Sequence, residues 1–289
     1  MKAPDPVAFT IFGADIRWYG ILIAFAFMLG ILIAVKRAPK FGIAGDTVLD
    51  FALWLMPISI IGARLYYVIF SWDQYAGDLK SILAIRSGGL AIHGGIIAGV
   101  LTAVIFCKVR KVNLLDLLDL IFPEVALGQA IGRWGNFFNS EAHGGPTDLP
   151  WAIEVDGEMV HPTFLYESIW CLLLFLFLLW LSDRREFRGQ IVCAYGMLYS
   201  VERFFVEGLR TDSLMIGGLR QAQVISAVIF AAALIGFFLL KKREQSLHGS
   251  GRKTDTEGDH NDPVKDAVAI SEDDHEKTAD SDPDKAADE

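Results

Sequence analysis

Cysteine is scarce in this chain, and its placement excludes two classes at once. Cys107, Cys171 and Cys193 are the only three. All sit inside apolar runs, so neither a disulfide framework nor a Cys/His metal site is expected, and each reads as a small buried hydrophobe. There is no nucleotide-binding glycine loop, no zinc signature and no internal repeat, which leaves dinucleotide chemistry and repeat architectures without a foundation. A basic leader is missing as well. Pro4, Asp5 and Pro6 precede the first apolar run and no small-residue cleavage site follows it, so that run is expected to remain a membrane span rather than to be removed as a signal peptide. From Gly249 to Glu289 aromatic residues are absent, and Asp, Lys, Ser, Thr and Gly dominate. Such a stretch cannot bury enough apolar surface to fold.

Charge follows the same division. From Glu244 onward there are five Lys/Arg and fifteen Asp/Glu, against 21 and 20 before it, so the formal net charge of −9 belongs to the end of the chain. The expected organisation is a transmembrane domain over 1–243 and an acidic, disordered tail over 244–289, with no nucleic-acid partner. Hydrophobic residues make up 53%, which favours a membrane protein over two small soluble domains.

Crossing a bilayer core takes about 20 mostly apolar residues. Such runs fall near 17–35, 47–70, 88–107, 114–131, 163–181, 190–206 and 221–240, predicting an all-α, polytopic integral membrane protein with about seven transmembrane helices. Lys36, Arg37 and Lys40 follow the first run, Lys108, Arg110 and Lys111 the third, Arg184, Arg185 and Arg188 the fifth, and Lys241, Lys242 and Arg243 the seventh. Every second junction is basic, which places those junctions and the tail in the cytoplasm and the N-terminus outside. Trp18, Trp72, Trp134 and Trp151 then fall at the outer interface, where indoles are enriched.

Ionisable groups within spans are costly and point to function by default. Here they gather toward the outer side. Tyr19 opens the first span, Arg64 lies about two turns from the outer end of the second, His93 is near the outer start of the third, and Arg203 and Glu207 close the sixth. The segment Gly132-Arg133-Trp134-Gly135-Asn136-Phe137-Phe138-Asn139-Ser140-Glu141 follows the fourth, putting an arginine, two amides and a carboxylate into one glycine-hinged stretch. Asp116 and Asp119 are the exceptions, near the inner end of the fourth span, and are expected to meet cytoplasmic water or Lys111. Three arginines around an outward-facing cavity describe an anion site, since guanidinium forks match phosphate in geometry and charge. The anion that leaflet offers is a phospholipid headgroup. Ion pairing is the other reading, for Arg203 with Glu207 at i,i+4 and for Arg64 with a nearby acid. Gly132 and Gly135 are expected to let backbone approach a ligand beside Arg133. His93, between Gly88-Gly89 and Gly94-Gly95, is either a general base or headgroup ligand, or a hydrogen-bonded and inert histidine. Gly95 and Gly99 form a GxxxG packing face. His143 and His161 in the outer loop are weaker candidates, and His248, His260 and His275 belong to the tail.

The run from Gly132 to Glu141 resembles the signature of bacterial prolipoprotein diacylglyceryl transferases, integral enzymes of the inner membrane. Trp18-Tyr19-Gly20, Gly62-Ala63-Arg64, Gly89-Leu90-Ala91-Ile92-His93-Gly94-Gly95, His161-Pro162-Thr163-Phe164-Leu165-Tyr166-Glu167 and Tyr199 through Glu207 extend that resemblance, in order, over nearly all of residues 10–240. It implies transfer of a diacylglyceryl group from phosphatidylglycerol to the lipobox cysteine thiol of a prolipoprotein, forming a thioether and releasing glycerol phosphate. Carried over residue by residue, it implies functional roles for Tyr19, His93, Arg133, Asn136, Glu141, Gly144, Tyr199, Arg203 and Glu207. Arg64 and Asn139 join them as substrate-binding candidates.

The chemistry assigns roles within that set. A thiol with a pKa of about 8.5 needs a base, and the departing phosphate gains charge that must be stabilised. Arg133 and Arg203 are expected to hold the phosphate, with Asn136 and Tyr19 orienting headgroup oxygens. His93 is the first choice to take the thiol proton and Glu141 the second. No metal or organic cofactor is expected, because a phosphate ester is already a competent leaving group. The expected partners are phosphatidylglycerol, prolipoprotein signal peptides and membrane lipid. The rival is a transporter or flippase for an anionic solute or lipid that uses the same arginines in transit. The lack of a two-fold repeat and of matched interrupted helices speaks against it.

Overall fold

The computed structural model describes residues 4–85, 88–211 and 213–254. In chain order the helices are α1 (Trp18–Arg37), α2 (Gly45–Phe70), the short α3 (Leu79–Leu83), α4 (Ile92–Arg110), α5 (Leu114–Phe138), α6 (Thr163–Ser182), α7 (Gln190–Leu209) and α8 (Gln221–Thr254). Seven of these are long and match the seven apolar runs. Three two-stranded antiparallel hairpins, absent from the all-α expectation, join them: β1 (Val7–Ile11) with β2 (Ala14–Arg17), β3 (Ile153–Val155) with β4 (Glu158–Val160), and β5 (Met215–Ile216) with β6 (Leu219–Arg220). The first turns at Phe12 and Gly13, both at positive φ, the geometry that matches a hairpin's twist.

Five of the long helices, α1, α2, α4, α6 and α8, are long and apolar enough to cross a membrane. The two that fall short, α5 and α7, carry the ionisable residues: Asp116, Asp119, Glu124 and Arg133 on one, Glu202, Arg203 and Glu207 on the other. Helix α5 starts under a side-chain cap, with Asn113 Oδ1 accepting from the N–H groups of Leu115 and Asp116 at 2.9 and 3.3 Å, satisfying donors that the first helical turn leaves free.

The basic junctions meet at one end of the bundle. Lys40 Nζ contacts Asp183 Oδ1 at 2.6 Å, Lys241 contacts Glu186 at 3.1 Å, and Arg110 pairs with Asp50. The hydrogen bond from Lys40 holds the Asp183 carboxyl below the usual carboxylate range. Here Asp116 and Asp119 depart from expectation. Both are held by arginines from a junction other than that of Lys111. Arg185 reaches Asp116 at 2.5 Å and Asp119 at 2.8 Å, Arg188 reaches Asp116 at 3.3 Å, and Asp119 also accepts the N–H groups of Gly189 and Val192 at 2.7 and 2.9 Å. A fully buried carboxylate requires such partners, because its lost hydration exceeds what one weak contact returns. Arg37 completes this end, with Glu124 at 2.5 Å, Ser182 at 2.8 Å and the Leu120 carbonyl at 3.1 Å.

Two glycine expectations change. Helix α5 does not hinge at Gly132 or stop at 131; it continues to Phe138. A Cβ on Gly135 would lie 2.2 Å from Tyr19 Cδ2, so this glycine admits the Tyr19 ring of α1 rather than a ligand. Between α2 and α4 the close approach is at Gly62 and Gly94, where a Cβ on Gly94 would lie 2.3 Å from the Gly62 carbonyl oxygen. Gly95 and Gly99 would meet only ordinary contacts of 3.4–3.7 Å. The crossing therefore lies one residue before the GxxxG pair.

Apolar packing falls into three clusters. One fills the basic end around Phe51, Phe106, Leu117 and Leu120; a second joins α5, α6 and α7 through Leu127, Leu174, Leu178 and Ile191. A third seats the β3–β4 hairpin on Phe137 and Phe164. Helix α8 runs past the expected boundary at 243, and the expected tail lies outside the described residues from 255 onward.

Candidate active site

A cavity of about 1060 Å³ opens between α1, α2, α4, α5, α7 and α8. Its upper wall is polar: Tyr19, His93, Arg133, Asn136, Tyr199 and Arg203 line it, with Glu141 and Glu207 beside them. Below, the lining is mostly apolar and includes Ala26, Phe27, Phe51, Leu55 and Ile229, with Glu124 and Gln129 of α5 among them. From Asn136 to Ile121 the α5 wall spans about 22 Å at 1.5 Å per residue, longer than the roughly 15 Å of one leaflet's hydrocarbon. Two acyl chains under a charged headgroup suit that shape.

One buried carboxylate organises the polar wall. Glu167 of α6 is 1% exposed at its side chain, and it lies 3.0 Å from Arg133 Nη1 through one oxygen and 3.0 Å from Arg203 Nη1 through the other. Arg203 Nη2 also bonds Glu207 at 2.6 Å. The Arg133 contact is close, yet Glu167 Oε2 has no aligned hydrogen bond. Both arginine side chains keep 19% exposure and both line the cavity, so each guanidinium is held from behind while part of it faces the open space. Arg203 thus satisfies both earlier readings at once, paired with Glu207 and at the cavity wall. Behind Glu207, Arg220 donates to its backbone carbonyl and to that of Arg210.

Glu141 returns to the cavity through a strained turn. Ser140 and Ala142 both take positive φ, 53° and 57°, a conformation that costs a residue with a Cβ about 1–2 kcal/mol. The turn is secured by Glu141 N–H to the Asn136 carbonyl at 3.0 Å. Its carboxylate accepts from Asn136 Nδ2 at 3.0 Å and from Asn139 Nδ2 at 3.2 Å. Asn139 therefore acts through Glu141 and does not line the cavity. His93 is exposed at the start of α4, with its ring 6.1 Å from that of Tyr66. Tyr199 stacks on Tyr195 at 5.4 Å, and Tyr195 donates to Gln129, another cavity residue, at 2.9 Å.

Arg64 and Gly144, like Asn139, are candidates that the structure does not bring to the cavity wall. Arg64 is 5% exposed and donates to the carbonyls of Ser81, Ile82, Ala84, Gly88 and Gly89 at 2.6–3.4 Å. With no acid beside it among the described residues, the guanidinium acts as a clamp on the segment leading into α4. Gly144 pairs with Arg210 in an isolated bridge, and a Cβ there would lie 2.6 Å from that of His161, which makes it a close-packing position. His143 contacts the Gly144 carbonyl and His161 the Tyr166 hydroxyl, at 3.0 and 3.4 Å; neither lines the cavity.

Glu167 and Glu202 were missed as site residues. The signal was available for Glu167, a lone acid inside an apolar run, since such an acid must be answered by a cation somewhere in the fold; Glu202 was hidden by its neighbour Arg203, which supplies a cation in the sequence itself.

The family described as prolipoprotein diacylglyceryl transferase matches residues 6–239. A phosphatidylglycerol–prolipoprotein diacylglyceryl transferase of Finegoldia magna is 54% identical over 240 residues, covering 83% of this chain and 97% of that protein. One from Clostridioides difficile is 51% identical over 242 residues, covering 84% and 98%. Another, from Clostridium novyi, is 48% identical over 241 residues, covering 80% and 94%.

Proposed function

Because the chain belongs to the prolipoprotein diacylglyceryl transferase family, we propose that its cavity takes phosphatidylglycerol as donor and a prolipoprotein cysteine as acceptor. The observation that carries this reading is the pairing of Arg133 and Arg203 on one buried Glu167, at the head of a long apolar cavity. The phosphate docks against the free edges of the two guanidinium groups, which supply planar donor forks, and the acyl chains lie along α1 and α5. Asn136 and Tyr19 orient headgroup oxygens.

The lipobox thiol loses its proton to the imidazole of His93, and the thiolate attacks the diacylglyceryl carbon bonded to the phosphate oxygen. A carbon–sulfur bond forms and the carbon–oxygen bond breaks. The electron pair leaves on glycerol phosphate, whose growing charge Arg133 and Arg203 stabilise. Glu141 holds Asn136 in place and is the second candidate for the proton. In this reading the polar wall faces the extracytoplasmic side of the bacterial plasma membrane, and the basic junctions lie in the cytoplasm.

A model lipobox peptide incubated with the purified protein and phosphatidylglycerol, followed by mass spectrometry, tests the reading. A covalent diacylglyceryl adduct on the cysteine is expected. Movement of lipid between leaflets with no adduct would instead support the flippase alternative.

A further inference from the structure

Glu202 has no part in that mechanism, yet it is among the most unusual groups in the molecule. It is 4% exposed, and neither carboxylate oxygen has a hydrogen-bond partner. It lies one residue before Arg203 on α7 and interacts electrostatically with Arg133 of α5, Arg203 of its own helix and Glu167 of α6. Cys171 of α6 lies within electrostatic reach of it, and Tyr199, one turn earlier on α7, shares the same charges. The two arginines are already matched by Glu167 and Glu207. A third carboxylate, ionised and without hydrogen bonds, would be an uncompensated buried charge. It would also repel the lipid phosphate that enters on the far side of the same guanidinium groups.

From this geometry, and resting on the functional reading above, we infer that Glu202 is a positioning residue that must carry a proton for the lipid phosphate to bind. As a neutral acid it leaves the forks of Arg133 and Arg203 facing the cavity. Once ionised it competes for them, becoming a second counter-ion behind the wall. Headgroup binding and proton uptake at Glu202 are therefore linked, and affinity for an anionic lipid falls as the pH rises through the titration of this group.

The experiment is equilibrium binding of a fluorescent phosphatidylglycerol to the purified full-length protein between about pH 5 and 9, with no peptide present, so that the acceptor thiol does not contribute. Because His93 lines the same cavity and is the proposed base, every comparison is made in a His93→Gln background. A fluorescent diacylglycerol, which lacks the phosphate, serves as the neutral control. Phosphatidylglycerol affinity is expected to fall roughly tenfold across the range, as one pK unit of interaction would give, while diacylglycerol affinity stays flat. Adding Glu202→Gln is expected to hold the acid-side affinity throughout. Loss of affinity in the Gln variant with its pH dependence retained would overturn the inference, as would an equal dependence for diacylglycerol. If the Gln variant does not insert, Glu202→Asp decides the matter: the alkaline fall should move along the pH axis, and an unmoved midpoint refutes the proposal. Failure of the transferase reading is separate, since it appears as the absence of adduct when unaltered protein is given the lipobox peptide.

Discussion

The two ends of the bundle hold similar numbers of charges and treat them in opposite ways. At the basic end Asp119 is answered by Arg185 and two backbone N–H groups, and Arg37 by Glu124, Ser182 and a carbonyl. At the other end Arg133 and Arg203 share one carboxylate and face a cavity, while both oxygens of Glu202 and one each of Glu167 and Asn139 go without aligned partners; at the basic end one oxygen of Glu124 is left in the same state. Saturation is what a structural lock needs, since a buried ion that loses its partner is strongly destabilising. Incomplete saturation is what a site needs, because donors already spent on protein cannot turn to a ligand. The same residue types thus fix the fold at one end and leave chemistry open at the other.

The sharpest way to break this contrast is at the least partnered group. His93→Gln should lower turnover by about 10² to 10⁴, the usual contribution of a positioned base. Near-normal turnover with saturating phosphatidylglycerol would transfer the proton to Glu141 or to water. Next comes Arg133→Lys, expected to lose about 10² to 10³ in kcat at an unchanged protein level in membranes, because an ammonium keeps the charge and loses the fork. A lysine variant with wild-type kcat would mean that a diffuse positive field is enough. At the locked end Asp119→Asn should do the reverse. Thermal stability in detergent drops, by roughly 1–3 kcal/mol for a buried donor left without its acceptor, since Arg185 keeps Asp116 while an amide NH2 replaces one of the two oxygens that Gly189 and Val192 need; turnover per inserted molecule stays within a few-fold. Activity lost without loss of stability would place that end in the reaction. The smallest effect is expected from deleting 249–289: transferase activity in membranes should remain within a few-fold, and a drop at equal protein level would give the acidic segment a direct role.

Much of this was legible in the chain itself, because apolar runs and basic junctions are properties of composition along the sequence. The seven runs match the seven long helices, and eight of the eleven site candidates, all but Arg64, Asn139 and Gly144, line the cavity. What escaped depends on partners distant in sequence. Arg64 was read as a ligand or an ion pair because nothing marks the carbonyls of residues 81–89 as its acceptors. Gly135 was read as a hinge, since the Tyr19 ring that fills its place comes from a helix 116 residues earlier. Asp116 and Asp119 were assigned to water although Arg185 and Arg188 had already been counted, as topology markers. Glu167 was visible inside an apolar run, but its role as the bridge between two arginines exists only once α5, α6 and α7 are packed.

The contrast between a locked end and an open one rests on where a lipid phosphate settles. An experimental structure of the full-length protein with phosphatidylglycerol bound tests that directly. Phosphate oxygens are expected at hydrogen-bond distance, about 2.7–3.2 Å, from both Arg133 and Arg203, with the acyl chains descending between α1 and α5. A headgroup seated at Arg64, or among Arg37, Arg185 and Arg188, with Arg133 and Arg203 still bound only to Glu167 and Glu207, would contradict it.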